Sequence, residues 1–423
     1  MKIAIVAEHA SARFGGEAIL PLHYFRILRQ RGHDVWLIVH ERTREELVDL
    51  FGDDSRIIFT PDTPLIRLLW RMGSFLPHRL ANFSTGYLMR VLTQRRQRKE
   101  ARRLVAEQRV NIVHQPIPVS PREPSMLFDL GAPVVIGPLN GGMEFPPAFR
   151  SRTSALERHA VAAGRSMTNF MNRLVPGKRL ASVVMVANER SRLALPSGVR
   201  GKIVELFENG VDISTWTVHA AAERDPQGSA RFVFSGRLVD WKAVDLLLRA
   251  FARASTQVPM SLLIVGDGDV RGSLEELAAE LGVLSAHEVP GKVHFAGWLS
   301  QRECAEMLAS RDALVLPSLY ECGGAVVLEA MALGKPVIAT AWGGPLDYLN
   351  PECGILVAPE SPDALVRGLE DAMVELARSP GLRRQLGEVA KRRIRDEFDW
   401  EKKVDAVLGV YASAIAAEGQ RPQ

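Results

Sequence analysis

The chain has 423 residues, which is too long for one ordinary hydrophobic core and sufficient for two domains. Its composition, 47% hydrophobic and 24% charged, is typical of a globular protein and excludes a disordered or fibrous chain. The formal net charge of +4 does not demand a nucleic-acid partner, and we expect none. Three cysteines form neither a disulfide framework nor a paired metal-ligand spacing, which suits a reducing compartment.

The first residues, MKIAIVAEHA, read as a buried strand and not as a signal segment. No apolar run approaches the ~18 residues that a membrane span requires. These two features predict a cytoplasmic protein.

The first half of the chain alternates strands and helices. A predicted strand (Lys2–Ala7) is followed by a glycine loop (Arg13–Gly16), a helix (Ala18–Arg31) and a second strand (Val35–Val39). Further short apolar runs that predict strands are Ile57–Phe59, Ile112–His114, Val134–Ile136 and Ser182–Val186. Short apolar strands separated by helices indicate a parallel sheet that is covered on both faces.

One basic segment, Ile66–Leu104, interrupts this pattern with ten Arg or Lys residues against one acid, Glu100. Large apolar residues such as Trp70 and Phe75 lie between the charges. A segment of this kind can lie on an anionic bilayer surface, possible partners being such lipids. It can equally be a solvated helix pair that packs its apolar side on the protein's own core, and the sequence leaves both interpretations open.

A second series of strands begins near Lys202. Its predicted strands are Ile203–Glu205, Phe232–Phe234, Leu262–Val265, Val293–Phe295, Ala313–Leu316, Pro336–Thr340 and Gly354–Val357. Helical patterns lie between them at Ala243–Arg253, Leu274–Leu281, Gln301–Ser310 and Ala325–Leu333, and a last helix covers Trp400–Ala417. The fold class is therefore α/β, with two doubly wound domains of similar size that we expect to meet at a cleft.

The stretch ECGGAVVLEAMALGKPVIAT (321–340) places Glu321 in a loop after a strand and Glu329 inside the following helix. Ligands of open α/β sheets sit beyond the carboxyl ends of the strands, and a helix start offers unpaired N–H groups to an anion. The arrangement suits a nucleotide-sugar, with amides at the phosphates and one carboxylate each for the ribose and the sugar. The alternative is that Glu329 pairs on an exposed helix face and Glu321 is a plain loop residue. The apolar neighbours of Glu329 favour the ligand.

Two cations flank another strand-to-helix turn in FSGRLVDWKAVDLLLRAFA (234–252). Arg237 and Lys242 lie near the helix start, where cations and the helix dipole both favour phosphate. The glycine loop IVGDGDVRG (264–272) is a further turn of this type, weak evidence by itself. Solvated cations near a helix end remain the alternative.

The sequence resembles the retaining GT-B glycosyltransferases of glycosyltransferase family 4, also called glycosyl transferases group 1. Glu321 and Glu329 match the E-x(7)-E motif of that family. The stretches GRLVDWKAVDLLLRAF, IVGDGD, VHFAGWLS, ENGVD, GGEA, GKPVIATAWGG and FDWEKKVDAVLGVY also look like their counterparts. The resemblance spans essentially the whole chain and is looser in the first half. Three positions depart from the family pattern: Gly323, Ala243 and Asp347.

The resemblance implies a metal-independent site without a cofactor, in which the nucleoside diphosphate sugar is the donor substrate. Glu321 would bind sugar hydroxyls, Glu329 the ribose, and Arg237 with Lys242 the diphosphate. Further donor-binding residues would be Gly15, Gly16, Gly266, Gly297, Trp298, Gly323, Gly324, Ala325 and Val326. The catalytic set would be His114, Arg237, Lys242 and Glu321, with His114 near the reacting face of the sugar. A hydrogen-bonded histidine at a strand end is the alternative for His114.

Acceptor binding is the least defined part of the prediction. Glu17, Asn140 and Glu144 are candidates, although the GPLNGGMEFPP stretch (137–147) could equally form a turn. The resemblance implies an N-terminal acceptor-binding Rossmann-like domain (1–201), a C-terminal nucleotide-sugar-binding one (202–397) and a helix that returns to the N-terminal domain (398–423). The implied activity is retaining hexosyl transfer from a nucleoside diphosphate sugar to a hydroxyl of a glycan or lipid-linked acceptor, in polysaccharide or glycolipid biosynthesis, at the inner face of a membrane.

Three rival functions stay open at this point. An inverting transferase would use His9 as general base, because His9 follows the first strand. A glycosidase would use Glu321 and Glu329 as a carboxylate pair roughly 5 Å apart. A regulator would bind nucleotide without turnover. The sugar, the base (UDP, GDP or ADP), the acceptor and the oligomeric state have no signature in the sequence.

Overall fold

A computed structural model of the chain describes residues 1–14, 16–74, 85–152, 167–213, 216 and 228–420. It divides into two compact units. The first unit comprises Met1–Gly142, Leu156–Glu208 and Lys403–Gln423, and the second comprises Met143–Ala155 and Asn209–Lys402. Most of the last helix, Trp400–Gly419, thus belongs to the first unit although it follows the second along the chain.

The first unit is built on a parallel sheet of seven strands. These are β1 (Lys2–Val6), β2 (Asp34–His40), β3 (Ile57–Thr60), β4 (Ile112–Gln115), β5 (Val134–Leu139), β6 (Val183–Val186) and β7 (Lys202–Glu205). Their order across the sheet is β3-β2-β1-β4-β5-β6-β7. Strands β4, β5 and β6 are buried throughout and mainly apolar, as expected for a parallel sheet that helices cover on both faces.

One helix of the first unit shows how capping residues in the sequence define a helix start. Pro64–Gly73 starts with proline behind Thr63, whose hydroxyl accepts the Ile66 N–H at 3.0 Å, so both capping signals coincide. The α-helices are Ile19–Gln30, Arg44–Phe51, Pro64–Gly73, Tyr87–Gln108, Gly177–Leu180 and Glu189–Leu193, with short 3₁₀ turns at Gly16–Ala18 and Glu41–Thr43.

Strand β7 corrects the predicted domain boundary. The sequence places Lys202–Glu205 at the start of the second series, whereas the structure pairs it with β6 at the edge of the first sheet. An edge strand has a neighbouring strand on one side only, and three of the four residues of β7 are exposed. The first unit therefore runs to Glu208 and not to residue 201.

The second unit contains a parallel sheet of six strands in the order β10-β9-β8-β11-β12-β13. These are β8 (Ala230–Ser235), β9 (Met260–Val265), β10 (Val293–Gly297), β11 (Ala313–Leu316), β12 (Val337–Thr340) and β13 (Gly354–Val357). Its α-helices are Val244–Ala254, Arg271–Glu280, Gln301–Ala309, Ala325–Ala332, Pro345–Tyr348, Pro362–Arg378 and Pro380–Arg393, with 3₁₀ turns at Pro147–Arg152 and Asp240–Lys242 and a π-turn at Ile394–Phe398.

The predicted fold class is confirmed, because both units are doubly wound α/β layers around parallel sheets. Within each sheet all strands point the same way, so the loops after them gather at one edge. No helix among the described residues is long and apolar enough to cross a membrane.

Candidate functional site

The predicted donor-binding residues of the second unit follow four adjacent strands. Arg237 comes after β8, Gly266 after β9, Gly297 ends β10, and the loop with Glu321 follows β11. Because these strands lie side by side in the order β10-β9-β8-β11, the structure gathers the loops at one edge of the sheet. This is the place where open α/β sheets bind ligands.

Glycine is required where two of these loops touch. Gly266 has φ of +128°, and a Cβ built there would lie 2.0 Å from the carbonyl oxygen of Gly236. The loops after β8 and β9 therefore pack backbone against backbone, which leaves peptide groups instead of side chains at the sheet edge.

The central charged pair is Lys242 with Glu321, whose ammonium and carboxylate are in direct contact. Both side chains are largely buried, being 15% and 13% exposed. The Leu319 N–H donates to the Trp241 carbonyl at 2.8 Å, so the loops that carry the two charges are also joined through their backbones. Loop geometry thus positions this pair.

Ala243, which departs from the family pattern, follows Lys242 directly. It adopts a left-handed conformation with φ of +50° at the start of helix Val244–Ala254. An L-residue with a side chain is disfavoured there by about 1–2 kcal/mol, which explains physically why glycine suits this position.

The helix Ala325–Ala332 presents its amino terminus beside Glu321. Gly324 caps it with φ of +73°, and a Cβ on Gly324 would lie 3.1 Å from the Glu321 Cγ. The first N–H groups of a helix have no partner inside the helix, and they carry partial positive charge. The amides of Gly323 to Val326 are therefore placed as an anion-binding set next to the carboxylate.

Glu329 lies deeper in the same helix and has no hydrogen bond or ion pair among the described residues. Burial raises the pKa of its carboxyl group to about 7. Burial, and secondarily the Glu329 charge, raises the pKa of the nearby Cys304 thiol. A carboxylate without a donor in this place is suited to accept hydrogen bonds from the hydroxyls of a ligand.

Arg237 and Trp298 are the exposed members of the set. The Arg237 side chain is 68% exposed, and its guanidinium is 3.9 Å from the Asp269 carboxylate, a loose contact that leaves it available to an anion. Trp298 is 75% exposed and follows Gly297, whose carbonyl accepts the Gly266 N–H at 2.7 Å. The structure thus brings together the predicted donor-binding residues of the second unit.

His114 is a prediction that the structure contradicts. The side chain is completely buried in the first unit. Its Nε2 donates to the Gly137 carbonyl at 2.6 Å and its Nδ1 accepts the Tyr411 hydroxyl at 2.6 Å, so both ring nitrogens are satisfied. Burial lowers the pKa of His114 to about 4. It is a core histidine that fastens the last helix, and not a group at a reacting sugar.

Asn140 is likewise a structural residue and not an acceptor ligand. It is 3% exposed, and its amide donates to the Glu208 carboxylate at 2.7 Å. Its carbonyl oxygen accepts from Asn188 and Ser191, at 3.3 Å in each case. Both the NH2 group and the carbonyl oxygen of this side chain are therefore hydrogen-bonded inside the protein, as is usual for a buried polar group.

The remaining candidates of the first unit lie after β1. Gly16 begins the turn Gly16–Ala18, while Gly15 lies outside the described residues. The Glu17 carboxylate accepts the Val119 N–H at 3.2 Å, and local desolvation raises its pKa. His9 has a pKa lowered to about 4 by burial and by Arg42, which makes it a weak base for the inverting alternative.

Glu144 belongs to the second unit and not to the first. Its backbone carbonyl accepts the Trp342 indole N–H at 2.8 Å, and its carboxylate is 3.7 Å from Arg150. No sequence signal predicts this placement, because the segment directly follows β5 of the first sheet.

Two further side chains lie near these loops and were not among the predicted site residues. Arg271 lies against Gly297, where a Cβ would be 3.3 Å from its guanidinium, and it is bonded to Glu275 and Asp267. Tyr320, directly before Glu321, contacts Phe145 with ring centroids 5.4 Å apart. Only the adjacency of Tyr320 to Glu321 is visible in the sequence.

The comparison with protein families concerns the second unit. Residues 218–393 match the family described as Glycosyl transferases group 1. The second unit is thus similar in sequence to the group 1 glycosyl transferases. A glycogen synthase of Mycobacterium tuberculosis is 30% identical over 274 residues, 62% of this chain and 63% of that protein. An uncharacterized glycosyltransferase of Methanocaldococcus jannaschii is 32% identical over 189 residues, 44% of this chain and 46% of that protein. The chain spans about half the length of the curated relatives it matches.

Solved structures match over nearly the whole chain. The Anabaena protein HepE in complex with UDP and glucose superposes with a TM-score of 0.63 at 15% identity, covering 98% of this chain and 100% of that one. At this identity the likeness shows the fold alone. The two Rossmann-like units are those of the GT-B fold.

Proposed function

We propose that the protein is a retaining glycosyltransferase that moves a sugar from a nucleoside diphosphate to a hydroxyl group. The observation that carries the proposal is the arrangement in the second unit: Lys242 paired with Glu321 beside a helix amino terminus, and Glu329 without a partner in that helix. The similarity to group 1 glycosyltransferases, and the UDP and glucose bound to HepE, support it.

The donor's diphosphate would lie at the amides of Gly324 and Ala325, with Arg237 and Lys242 as counter-charges. Negative charge grows on the phosphate as the glycosidic bond breaks, so these groups act most strongly in the transition state. Glu321 would then bind hydroxyls of the sugar, and Lys242 contacts its carboxylate before the donor arrives.

Retention would follow from transfer on a single face of the sugar. The bond between the anomeric carbon and the phosphate oxygen breaks, and a bond from the same carbon to the acceptor oxygen forms. The departing phosphate oxygen takes the acceptor's proton, so no enzymic nucleophile or base is used. This assignment rests on the resemblance to retaining enzymes, and it gives His114 no part.

The proposal also assigns the diphosphate to cations of the protein in place of a metal ion. Arg237 offers a planar pair of donors and Lys242 a compact charge, which are the two usual phosphate ligands among side chains. Among the residues that the structure describes, no group of three His, Cys, Asp or Glu side chains is placed to hold a metal.

Glu329 would receive the ribose hydroxyls of the nucleotide. Hydroxyl donors stabilise the ionised carboxylate, so they offset the desolvation that raises its pKa. The ligand would thereby supply the partner that Glu329 does not find among the described residues.

For the acceptor, we propose a hydroxyl compound held at an anionic membrane surface. The helix Pro64–Gly73 buries Ile66, Leu69 and Gly73 but exposes a row of large apolar side chains: Leu65, Leu68, Trp70 and Met72, 48–60% exposed. Arg67 and Arg71 are exposed on the same helix. A core-packed helix that also presents apolar and basic groups to solvent suits the interface of a bilayer. Residues 75–84 of the basic segment lie outside the described residues.

The donor assignment is tested by thermal shift with UDP, GDP and ADP and by transfer assays. We expect one nucleotide to raise the melting temperature of the wild type, because binding to the native state alone stabilises it. Lys242→Ala should lose most of that shift and at least ~100-fold of the turnover, while Lys391→Ala, an exposed lysine of the second unit, should not. An unaltered turnover in Lys242→Ala would refute the assignment of the diphosphate, and an inverted anomeric configuration in the NMR spectrum of the product would refute retention.

The membrane assignment is tested separately by flotation with lipid vesicles. The wild type should float with vesicles rich in phosphatidylglycerol and not with pure phosphatidylcholine, and the double variant Leu68→Ser, Trp70→Ser should lose this binding. The matched control is Leu193→Ser, which removes a residue 77% exposed elsewhere on the first unit. Equal flotation of the double variant and the control would reject the surface.

A further inference from the structure

A short segment, Met143–Arg150, leaves the first sheet after β5 and packs within the second unit. The Trp342 indole donates to the Glu144 carbonyl at 2.8 Å. Met143 is buried, and its side chain fills the space over Gly343, where a Cβ would lie 2.5 Å from the Met143 Cε. These contacts fix the segment at the loop after β12.

That loop is in turn tied to the backbone of Glu321, the residue assigned to the donor sugar. The Gly344 N–H donates to the Glu321 carbonyl at 2.8 Å, and a Cβ on Gly343 would lie 2.4 Å from the same oxygen. The loop after β12 therefore lies between the segment Met143–Arg150 and Glu321 and contacts both. A side chain at position 343 would clash with both neighbours, so glycine is needed for this close packing.

Two aromatic rings meet at this place. Phe145 from the segment and Tyr320 from the loop after β11 have centroids 5.4 Å apart and planes inclined by 34°. Tyr320 remains 37% exposed and Phe145 is half-buried. Scattered exposed apolar residues need no explanation, but a pair from two separate segments, beside a carboxylate assigned to sugar hydroxyls, forms a defined apolar surface.

We propose that Phe145 and Tyr320 form a platform for the sugar ring of a carbohydrate acceptor. The inference rests on the proposed glycosyl transfer and narrows its acceptor to a glycan. A pyranose has apolar C–H faces and a hydroxyl rim, so it matches flat aromatic rings that are bordered by polar groups. The Glu144 carboxylate, 48% exposed and 3.7 Å from Arg150, lies next to Phe145 in the chain and would accept hydroxyls of that rim.

The platform suits an acceptor better than the donor. The groups assigned to the donor sit on the loops and helix starts after β8 to β11, whereas Phe145 and Glu144 come from a segment that those strands do not carry. An aliphatic lipid tail would need a continuous apolar groove, and here a carboxylate and a guanidinium border the rings.

The test uses saturation-transfer NMR on the full chain with methyl glycosides of glucose, galactose and mannose, in the presence of the nucleotide that gives the largest thermal shift. We expect ring protons of at least one glycoside to be saturated by the wild type. Phe145→Ala and Tyr320→Ala should weaken its binding about tenfold, and Tyr320→Phe should retain it. The thermal shift by the nucleotide should be unchanged in all three variants, which also shows that they are folded.

The possible failures are distinct. Equal glycoside signals in the wild type and both alanine variants overturn the platform, as does a wild type that binds nucleotide but no glycoside. Alanine variants that keep the glycoside signal and lose the nucleotide shift overturn it in favour of the donor. A wild type that binds no nucleotide refutes the proposed function, and the platform with it.

Discussion

Replacing Glu329 with glutamine tests two effects of this carboxylate separately: its effect on the free energy of unfolding and its proposed role in nucleotide binding. Burial raises its pKa from 4.5 to about 7 in the folded protein. The folded state therefore holds the proton more tightly than the unfolded state, and the stability that results is present below pH 4.5 and lost as the pH rises through 7. A shift of this size corresponds to about 3 kcal/mol of unfolding free energy.

Glu329→Gln should consequently leave stability near its wild-type value at pH 4.5 and raise it by up to about 3 kcal/mol at pH 8. The amide is nearly isosteric and carries no charge to desolvate. Urea denaturation at several pH values measures the difference, and Glu276→Gln, an exposed glutamate of the same unit, is the matched control. The same variant should lose nucleotide binding at pH 8, because a neutral amide is a weaker acceptor for ribose hydroxyls.

Two results would refute this reasoning. Parallel stability profiles for the wild type and Glu329→Gln would show that the carboxylate is solvated or paired. A variant that gains stability but binds nucleotide as well as the wild type would show that Glu329 is buried for a reason other than the ligand.

Three other substitutions test the packing. His114→Gln should flatten the stability profile between pH 6.5 and 4: burial lowers the pKa of this histidine to about 4, so the wild type loses about 3 kcal/mol as the pH falls through that window. Tyr411→Phe should cost about 1–3 kcal/mol at pH 7, because it leaves the buried His114 Nδ1 without a donor; equal unfolding curves would contradict the buried bond. Gly266→Ala should cost about 2–4 kcal/mol, since its Cβ would meet the Gly236 carbonyl at 2.0 Å. In the same urea measurement Gly272→Ala, whose Cβ meets nothing within 4 Å, should be neutral or slightly stabilising.

The fold was predictable because its strands are buried on both faces. Continuous apolar runs such as Ala313–Leu316 are separated by helical patterns and bounded by glycine or proline, so existence, type and order of the elements follow from local sequence. Strand β7 was assigned to the wrong sheet because an edge strand is defined by its neighbour, and pairing with β6 has no local signal.

The clustering of the candidate residues in the second unit was predictable from the sequence for a similar reason. Its residues follow strand ends within a few positions, and the parallel sheet gathers those positions at one edge whatever the helices between them do. Glycines such as Gly266 and Gly324 mark the backbone conformations that the loops need. Contacts between distant segments, such as Phe145 with Tyr320, could not be predicted, because neither residue has a periodic or spacing signal.

His114 and Asn140 show why polar residues at strand ends mislead. Each lies near the end of a strand of the first sheet, as a ligand-binding residue would, yet each has hydrogen-bond partners inside the unit. Their partners, Tyr411 and Glu208, are far away in the sequence, so only the structure tells a satisfied core residue from an available one.

The contrast between these residues and Glu329 is what supports a ligand at the second unit. His114 and Asn140 of the first unit are each compensated by hydrogen-bond partners inside that unit. Glu329 is half-buried and has no hydrogen bond or ion pair among the described residues, and it lies on a helix whose amino terminus adjoins a lysine–glutamate pair. Folding alone would favour glutamine or an apolar residue there, so a carboxylate that lowers stability at neutral pH is explained by a partner that arrives from outside the chain.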